Sequence, residues 1–353
     1  MIVSILVFIL IFSIVVIAHE MGHFLIARMN GIAVKEFAIG MGPVIFKKKK
    51  KETEWVIRLF PIGGACVFEG ADIFEEKIED KENVVEGSFQ SANIWRRIAT
   101  VIAGPVFNVI LGFVLALILV GFTGTDRPII YDLTPGYPAE EAGILPGDEI
   151  VKMDGERIHL YREISILSYL NKGEEIEITY ERDGIKYDTV IKPKYEEESN
   201  RYYIGFISSG EYVTSSGLNV FPYAWYEVKY ALSSTIKSLE MLISGNAHKE
   251  DVSGPVGIAL IIDDVIETAS PYGIKSVILT LCNFALLLSV NLGVLNLLPI
   301  PALDGGRLIF MLIELVRGKP LSPEKEGIVH FIGFAVLIVL MVVVLYNDIS
   351  KLF

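Results

Sequence analysis

Positive charge is scarce in this chain, where 31 Lys and Arg residues face 43 Asp and Glu, for a formal net charge of -12 over 353 residues. An acidic surface repels phosphate backbones, so nucleic acid is excluded as a partner. Cysteine is nearly absent: Cys66 lies in a loop and Cys282 in an apolar run, which argues against a disulfide framework and against a cysteine-based metal site. The N-terminus has no basic leader and no small-residue cleavage site, so its apolar run is expected to be retained. Charge is missing altogether from residues 276–303.

Apolar residues are what the chain has in excess, at 52% with a mean hydropathy of +0.49. Four runs, residues 2–29, 98–122, 276–298 and 328–346, are long enough to cross a hydrocarbon layer of about 30 Å. Lys47 to Lys51 follow the first run, Arg96 and Arg97 precede the second, and Arg317, Lys319 and Lys325 lie between the last two. By the excess of Lys and Arg on the cytoplasmic side, these ends share that side, and both termini and residues 124–271 lie outside.

Within the first run stands Ala18-His19-Glu20-Met21-Gly22-His23-Phe24. Ionisable groups cost a few kcal/mol each in hydrocarbon, about 2.5–3.5 at a helix centre, so they persist there when they face a protein interior and act. Residues four apart share a helix face, so His19 and His23 can both reach one metal, with Glu20 turned toward it from the side. Two imidazoles on a zinc ion with a carboxylate to handle a proton of water is the arrangement of a zinc protease. In a soluble surface helix the same letters arise by chance; between Ile14-Val15-Val16-Ile17 and Phe24-Leu25-Ile26 they require a purpose.

A catalytic zinc takes three protein ligands. Asn296-Leu297-Leu298-Pro299-Ile300-Pro301-Ala302-Leu303-Asp304-Gly305-Gly306-Arg307 ends the uncharged stretch. Its prolines remove backbone donors and its glycines permit unusual dihedrals, so the helix is expected to break there, and Asp304 is the leading third ligand. Glu314 and His330 are the other candidates, each readable as an interfacial residue.

Together, His19-Glu20-Met21-Gly22-His23 and the Asn296 to Gly306 motif resemble the site-2 protease family of intramembrane zinc metalloproteases, particularly its RseP-like branch. Ala103-Gly104-Pro105-Val106-Phe107-Asn108 and Ser253-Gly254-Pro255-Val256-Gly257 are also similar to that branch, so the likeness spans nearly the whole chain. The resemblance implies Zn²⁺ held by His19, His23 and Asp304, Glu20 as the catalytic acid/base, and Asn296 as a substrate-orienting residue. It also implies a multi-pass protein of the bacterial inner membrane, with the active site toward the cytoplasmic side. Substrates would be single-span membrane proteins, such as an anti-sigma factor, or leftover signal peptides.

Pro138 to Ile158 is similar to the A-x-x-A-G-I-x-x-G-D-x-I pattern of bacterial PDZ domains, and alternation over Glu175 to Glu181, a turn at Asp183-Gly184 and Thr189-Val190-Ile191 read as a hairpin. Such a domain either accepts a peptide by strand addition or only obstructs access. The fold expected is therefore an α-helical polytopic membrane protein of four transmembrane helices, with a membrane-associated β element and one extracytoplasmic PDZ-like α/β domain. Its expected divisions are residues 1–29 with the zinc motif; 30–93, a cytoplasmic loop whose part 72–93 is a charged linker; 94–123; 124–208, the PDZ-like domain; 209–271, a connector with an interfacial helix; 272–316; 317–327; and 328–353. The apolar, glycine-broken run Trp55 to Phe68 resembles the family's membrane-associated β element, and its part Pro61 to Phe68 is expected either to hold an extended substrate through Gly63, Gly64, Ala65, Cys66 and Val67 or only to plug the cytoplasmic opening as a hairpin. Two rival readings stand beside this one: a metalloprotease of the soluble-domain type whose third ligand is a glutamate, and a non-catalytic PDZ-containing adaptor with a decayed metal site. Intact Glu20 speaks against decay.

Overall fold

A computed structural model describes residues 2–70, 86–197, 201–210, 212–214, 217–245 and 252–351. They fall into two compact units, residues 1–115 with 235–353, and residues 116–234.

The first unit is built on apolar helices. Among the described residues four are long and apolar enough to cross a membrane: Val3–Met29, Ile94–Thr123, Ile274–Asn296 and Glu324–Ser350. These are the four expected runs, each within a few residues, in helices α1 (Ile2–Met29), α2 (Ile94–Thr123), α7 (Ile274–Asn296) and α9 (Pro323–Ser350). Much of α9 is exposed on every side, as a helix facing lipid would be. The charge-free run does break: α7 ends at Asn296, and α8 (Asp304–Arg317) begins at the aspartate after an irregular turn.

Between α1 and α2, strands β1 (Val34–Lys50) and β2 (Thr53–Phe68) pair antiparallel. Each is bent, so Ala38 has two partners, Ala65 and Val56. Gly40, Gly42 and Gly63, all at positive φ, mark the bends. The sheet lies along α1: the hydroxyl of Ser13 donates to the carbonyl of Pro61, and Glu52 pairs with Arg28 at 3.4 Å. Met41, Val44, Ile45, Phe46 and Phe60 are exposed at the apolar end, and Lys47 to Lys51 gather at the Arg28 end.

Two expectations change here. Residues 72–85 of the charged linker lie outside the described residues, but 86–93 are not linker. Ala33 N–H donates to Gly87 O, Phe89 N–H to Glu69 O, and the Phe89 ring stacks on Phe68 at 5.2 Å, because burying one aromatic outweighs the local polarity. Within the expected connector, α6 (Pro255–Ala269) is a further apolar helix packed on α1, α7 and α9. Its start is fixed by Asp348 of α9, whose carboxylate accepts from the N–H groups of Gly254 at 2.9 Å and Gly257 at 2.8 Å. A Cβ at Gly254 would stand 2.8 Å from that carboxylate and one at Gly257 3.0 Å, which accounts for the glycines of the Ser253 to Gly257 motif.

The second unit is an α/β domain. After β3 (Asp132–Leu133) and α3 (Pro138–Glu141), a sheet of order β5-β4-β6-β7 joins β4 (Glu149–Met153), β5 (Glu156–Arg157), β6 (Ile176–Arg182) and β7 (Ile185–Ile191), alongside α4 (Tyr161–Leu170). Ile130, Ile150, Met153, Ile176, Ile178 and Ile191 form its core, while Glu177 points to solvent. The hairpin turn sits where expected, with Asp183 and Gly184 both at positive φ. Asp148 of the Gly147-Asp148 pair is buried, binds Arg182 through both oxygens at 2.7 Å and accepts from Leu145 N–H, closing the loop before β4. Residues 222–242, expected as an interfacial helix or a packed soluble one, lie in helix α5 (Val220–Ile243), which buries Ala224, Val228 and Ala231 along one face.

Candidate metal centre

The pentad lies well inside α1, so Glu20 and both imidazoles are held by helical backbone. His19 and His23 are buried and Asp304 half-buried. Nε2 of His19 lies 3.1 Å from Nε2 of His23, and Oδ2 of Asp304 lies 3.0 Å from the first and 3.3 Å from the second. Donors 2.0–2.1 Å from a tetrahedral zinc ion stand roughly 3.3 Å apart, so the three atoms form one face of such a tetrahedron. Oδ2 of Asp304 is also buried and accepts no hydrogen bond among the described residues, an expense that a cation would remove. The site fits the ion.

Ring orientation comes from α2. Nδ1 of His23 lies 2.9 Å from the carbonyl of Thr100, which only an N–H can satisfy, so Nε2 keeps its lone pair for a metal. Nδ1 of His19 lies 3.3 Å from the buried side-chain amide of Asn108. Helix α2 can come this near because of two glycines. A Cβ at Gly104 would stand 2.4 Å from His23 Nε2 and 2.7 Å from His19 Cε1, and one at Gly22 would stand 2.4 Å from the carbonyl oxygen of Ala103. Asn108 is tied in turn to α7, where Ser289 donates to its carbonyl at 2.8 Å.

Asp304 is delivered by the turn between α7 and α8. The glycines after it serve close approach: a Cβ at Gly305 would stand 2.1 Å from Leu298 O, and one at Gly306 2.5 Å from Ile300 O. The unusual dihedral expected of them falls instead on Ala302, at φ 81°. The other two ligand candidates are engaged elsewhere. Glu314 takes both ends of the Arg97 guanidinium, at 2.5 and 3.1 Å, and His330 accepts from Ala302 N–H.

The substrate-binding candidates divide. Gly64 lies against the catalytic candidate, since a Cβ there would stand 3.0 Å from Cγ of Glu20. Gly64, Ala65, Cys66 and Val67 pair on one side with Ile39, Ala38, Phe37 and Glu36; among the described residues no further strand joins this sheet beyond β1 and β2. Gly63 is at the bend next to Met41. Asn296, half-buried, closes α7, and no hydrogen bond joins it to the metal group among the described residues. Thr100, Gly104 and Asn108 carry no role in the sequence reading. For Gly104 and Asn108 the signal was the Ala103 to Asn108 motif, a glycine and an amide in an apolar helix; Thr100, which acts through its backbone carbonyl, left none.

Two imidazoles and a carboxylate converging beside a glutamate inside an apolar helix define a membrane-embedded metallopeptidase. The chain belongs to peptidase family M50, which it matches over residues 7–340. It is 33% identical to the zinc metalloprotease RasP of Geobacillus kaustophilus, over 99% of this chain and 98% of that one. It is 32% identical to the regulator of sigma-W protease RasP of Bacillus subtilis, over 99% of each. A solved PDZ domain from Listeria monocytogenes matches 25% of this chain and 92% of its own length, at 19% identity and a TM-score of 0.23. The protein is a site-2-type zinc metalloprotease with four membrane helices.

Proposed function

We propose that this protein cuts a peptide bond within or near the transmembrane segment of single-span membrane proteins, or in signal-peptide remnants. The observation that carries this reading is the triangle of His19 Nε2, His23 Nε2 and Asp304 Oδ2, 3.0–3.3 Å on each side, in the same helix as Glu20. These three residues would hold Zn²⁺, which when bound supplies Lewis acidity to the scissile carbonyl and to a water. Glu20, one residue after His19, takes the proton of the attacking water and passes it to the leaving amine. Thr100 holds the His23 ring in the ligating orientation, and Asn108, once its amide is turned oxygen-first, does the same for His19.

A peptide bond in a transmembrane helix has its carbonyl engaged in the helical ladder, so the substrate must unwind first. The segment Gly63 to Val67 supports a way to hold it unwound. Strand addition there would offset hydrogen bonds lost from the helix and lay the extended chain beside Glu20, next to Gly64. Asn296 is assigned to orient that chain, a role that rests on the family motif. By analogy with a relative named a regulator of sigma-W protease, an anti-sigma factor is one substrate of this kind. The PDZ-like domain binds substrate ends or restricts entry.

Orientation rests on where basic residues gather. Arg28 lies at the end of α1 and pairs with Glu52, which directly follows Lys47 to Lys51, and Arg96 at the start of α2 donates to Asn30 O. Placing this end in the cytoplasm puts His19 about 14 Å along the helix from Arg28, below the membrane surface. Both termini then face outward. The deciding experiment uses purified protein and a model transmembrane substrate. Glu20→Gln should retain bound zinc and lose cleavage by at least about 100-fold. Near-parental turnover by that variant rejects the mechanism.

A further inference from the structure

The catalytic reading gives His330 nothing to do, yet it is placed with care. It lies on α9, with Nδ1 2.9 Å from the backbone N–H of Ala302. Ala302 is two residues before Asp304 and is one of four non-glycine residues at positive φ among those described. A residue with a Cβ avoids that region unless its surroundings impose it. The surroundings here are α9. One turn beyond His330, a Cβ on Gly333 would stand 2.4 Å from Pro301 O, so the helix lies directly against the residue before Ala302. The ring of His330 also meets Phe310 of α8 edge-on, at 5.3 Å.

We infer that His330 is a positioning residue for Asp304: by accepting the Ala302 N–H it pins the left-handed turn that presents the carboxylate to His19 and His23. The hydrogen bond fixes which nitrogen acts. Nδ1 must be the bare acceptor, so the proton is on Nε2, which is buried and has no hydrogen-bond partner among the described residues; Glu326 Oε1 stands off at 3.8 Å. An unsatisfied N–H is tolerated on this ring because the other nitrogen is needed at Ala302. The turn is otherwise held locally, by Leu303 N–H to Ile300 O and Gly306 N–H to Leu303 O. The first closes a turn with Pro301 and Ala302 at its centre, which forms with Ala302 at a φ of about −90° or about +80°; the two differ by a flip of the Pro301–Ala302 peptide, and the α9 contact to the Ala302 N–H selects the second. The consequence is that α9, which supplies no metal ligand, controls whether the third ligand is in place.

The inference rests on Asp304 as a ligand, and its test separates the two. Zinc affinity is measured by chelator competition on the full-length protein in detergent, and hydrogen exchange of the Ala302 amide on the metal-free protein. An asparagine oxygen can stand where Nδ1 stands, whereas a glutamine places its polar atom near Nε2. His330→Asn should therefore keep zinc affinity within about 3-fold and the amide protected, while His330→Gln and His330→Leu lose about 10–100-fold, the usual span for groups that orient ligands, and lose the protection. Glycine takes φ 81° freely, so in an Ala302→Gly background the loss caused by His330→Leu should shrink. Parental affinity in both His330→Gln and His330→Leu overturns the inference, as does an equal loss in the asparagine and leucine variants with no coupling to Ala302→Gly. If Asp304→Ala keeps its zinc, the ligand assignment itself is wrong. If Asp304→Ala loses zinc and His330→Leu does not, only the role of His330 falls.

Discussion

The side-chain amide of Asn108 sits 3.3 Å from Nδ1 of His19, buried between α1 and α2. For Nε2 of His19 to offer a lone pair to a metal, Nδ1 must carry the proton, so the amide end it needs is the oxygen. A half-turn of the amide supplies it, and Oδ1 has no other partner among the described residues. Asn108→Leu should thus lower zinc affinity by about 10–100-fold while helix content is unchanged. Asn108→Asp, which keeps an acceptor, should lose less. Chelator competition distinguishes the two, and equal affinity in all three proteins would remove Asn108 from the site.

Gly104 makes a sharper steric case. Any side chain there enters the space of both imidazoles, with a Cβ 2.4 Å from His23 Nε2 and 2.7 Å from His19 Cε1. Gly104→Ala should abolish cleavage and reduce bound zinc to below about one-tenth of parental, in line with the cost of displaced ligands. Metal analysis of the purified variant checks it. Gly121, where a Cβ meets nothing within 4 Å, is the control: Gly121→Ala should leave zinc content at the parental level.

These two residues also show how far the sequence could be read. The convergence of His19 and His23 was legible because their spacing is itself the geometry, and charged letters in an apolar run have few other uses. Asp304 was legible as a break signal. What was not legible was anything set by contact between helices: which face of α2 meets the pentad, or that the strain of the turn falls on Ala302 and is borne by α9. Helical wheels give faces, but pairing of faces is decided by which small residues let backbones approach, and one sequence does not rank them. Residues 86–93 were misread for the same reason: the charged stretch stops at Glu86, and what orders the rest is the stacking of Phe89 on Phe68, a contact that local composition does not show.

In the second unit, Arg162 joins two carboxylates, contacting Asp126 through Nε at 3.0 Å and Nη2 at 2.9 Å and Glu227 through Nη2 at 2.5 Å. Burial pushes the Glu227 carboxyl above its ordinary value of 4.5, and Arg162 only partly pulls it back. A folded acid with a raised pKa holds its proton to higher pH than the unfolded chain does. Its contribution to stability is then fully present below about 4.5 and is lost as pH rises through the folded value. Glu227→Gln should flatten that decline, seen as hydrogen-exchange protection of Ile178 and Tyr180 that changes less with pH than in the parent. Arg162→Met, which strands both carboxylates, should cost about 3–5 kcal/mol in the same amides without altering zinc content. Protection that rises with pH in the parent would mean the Glu227 shift has the opposite sign.

The edge of β2 gives the last prediction, because a strand shows its two sides to different partners. Along Gly64 to Phe68, successive N–H groups point alternately toward β1 and away from it. Ala65 and Cys66 are neighbours, so one of them donates within the sheet and the other faces the open edge. Proline removes the donor in either case, but the losses differ. At the position facing β1, the sheet itself should weaken, and with it the thermal stability. At the position facing outward, folding and zinc content should be parental, and cleavage of a transmembrane substrate should fall by about 10-fold or more, the equivalent of one backbone hydrogen bond to the substrate. Ala65→Pro and Cys66→Pro should therefore separate into one destabilised protein and one stable, poorly active protein. If the stable one cleaves at the parental rate, the substrate is not held as an added strand, and the turn that begins at Asn296 must hold it instead.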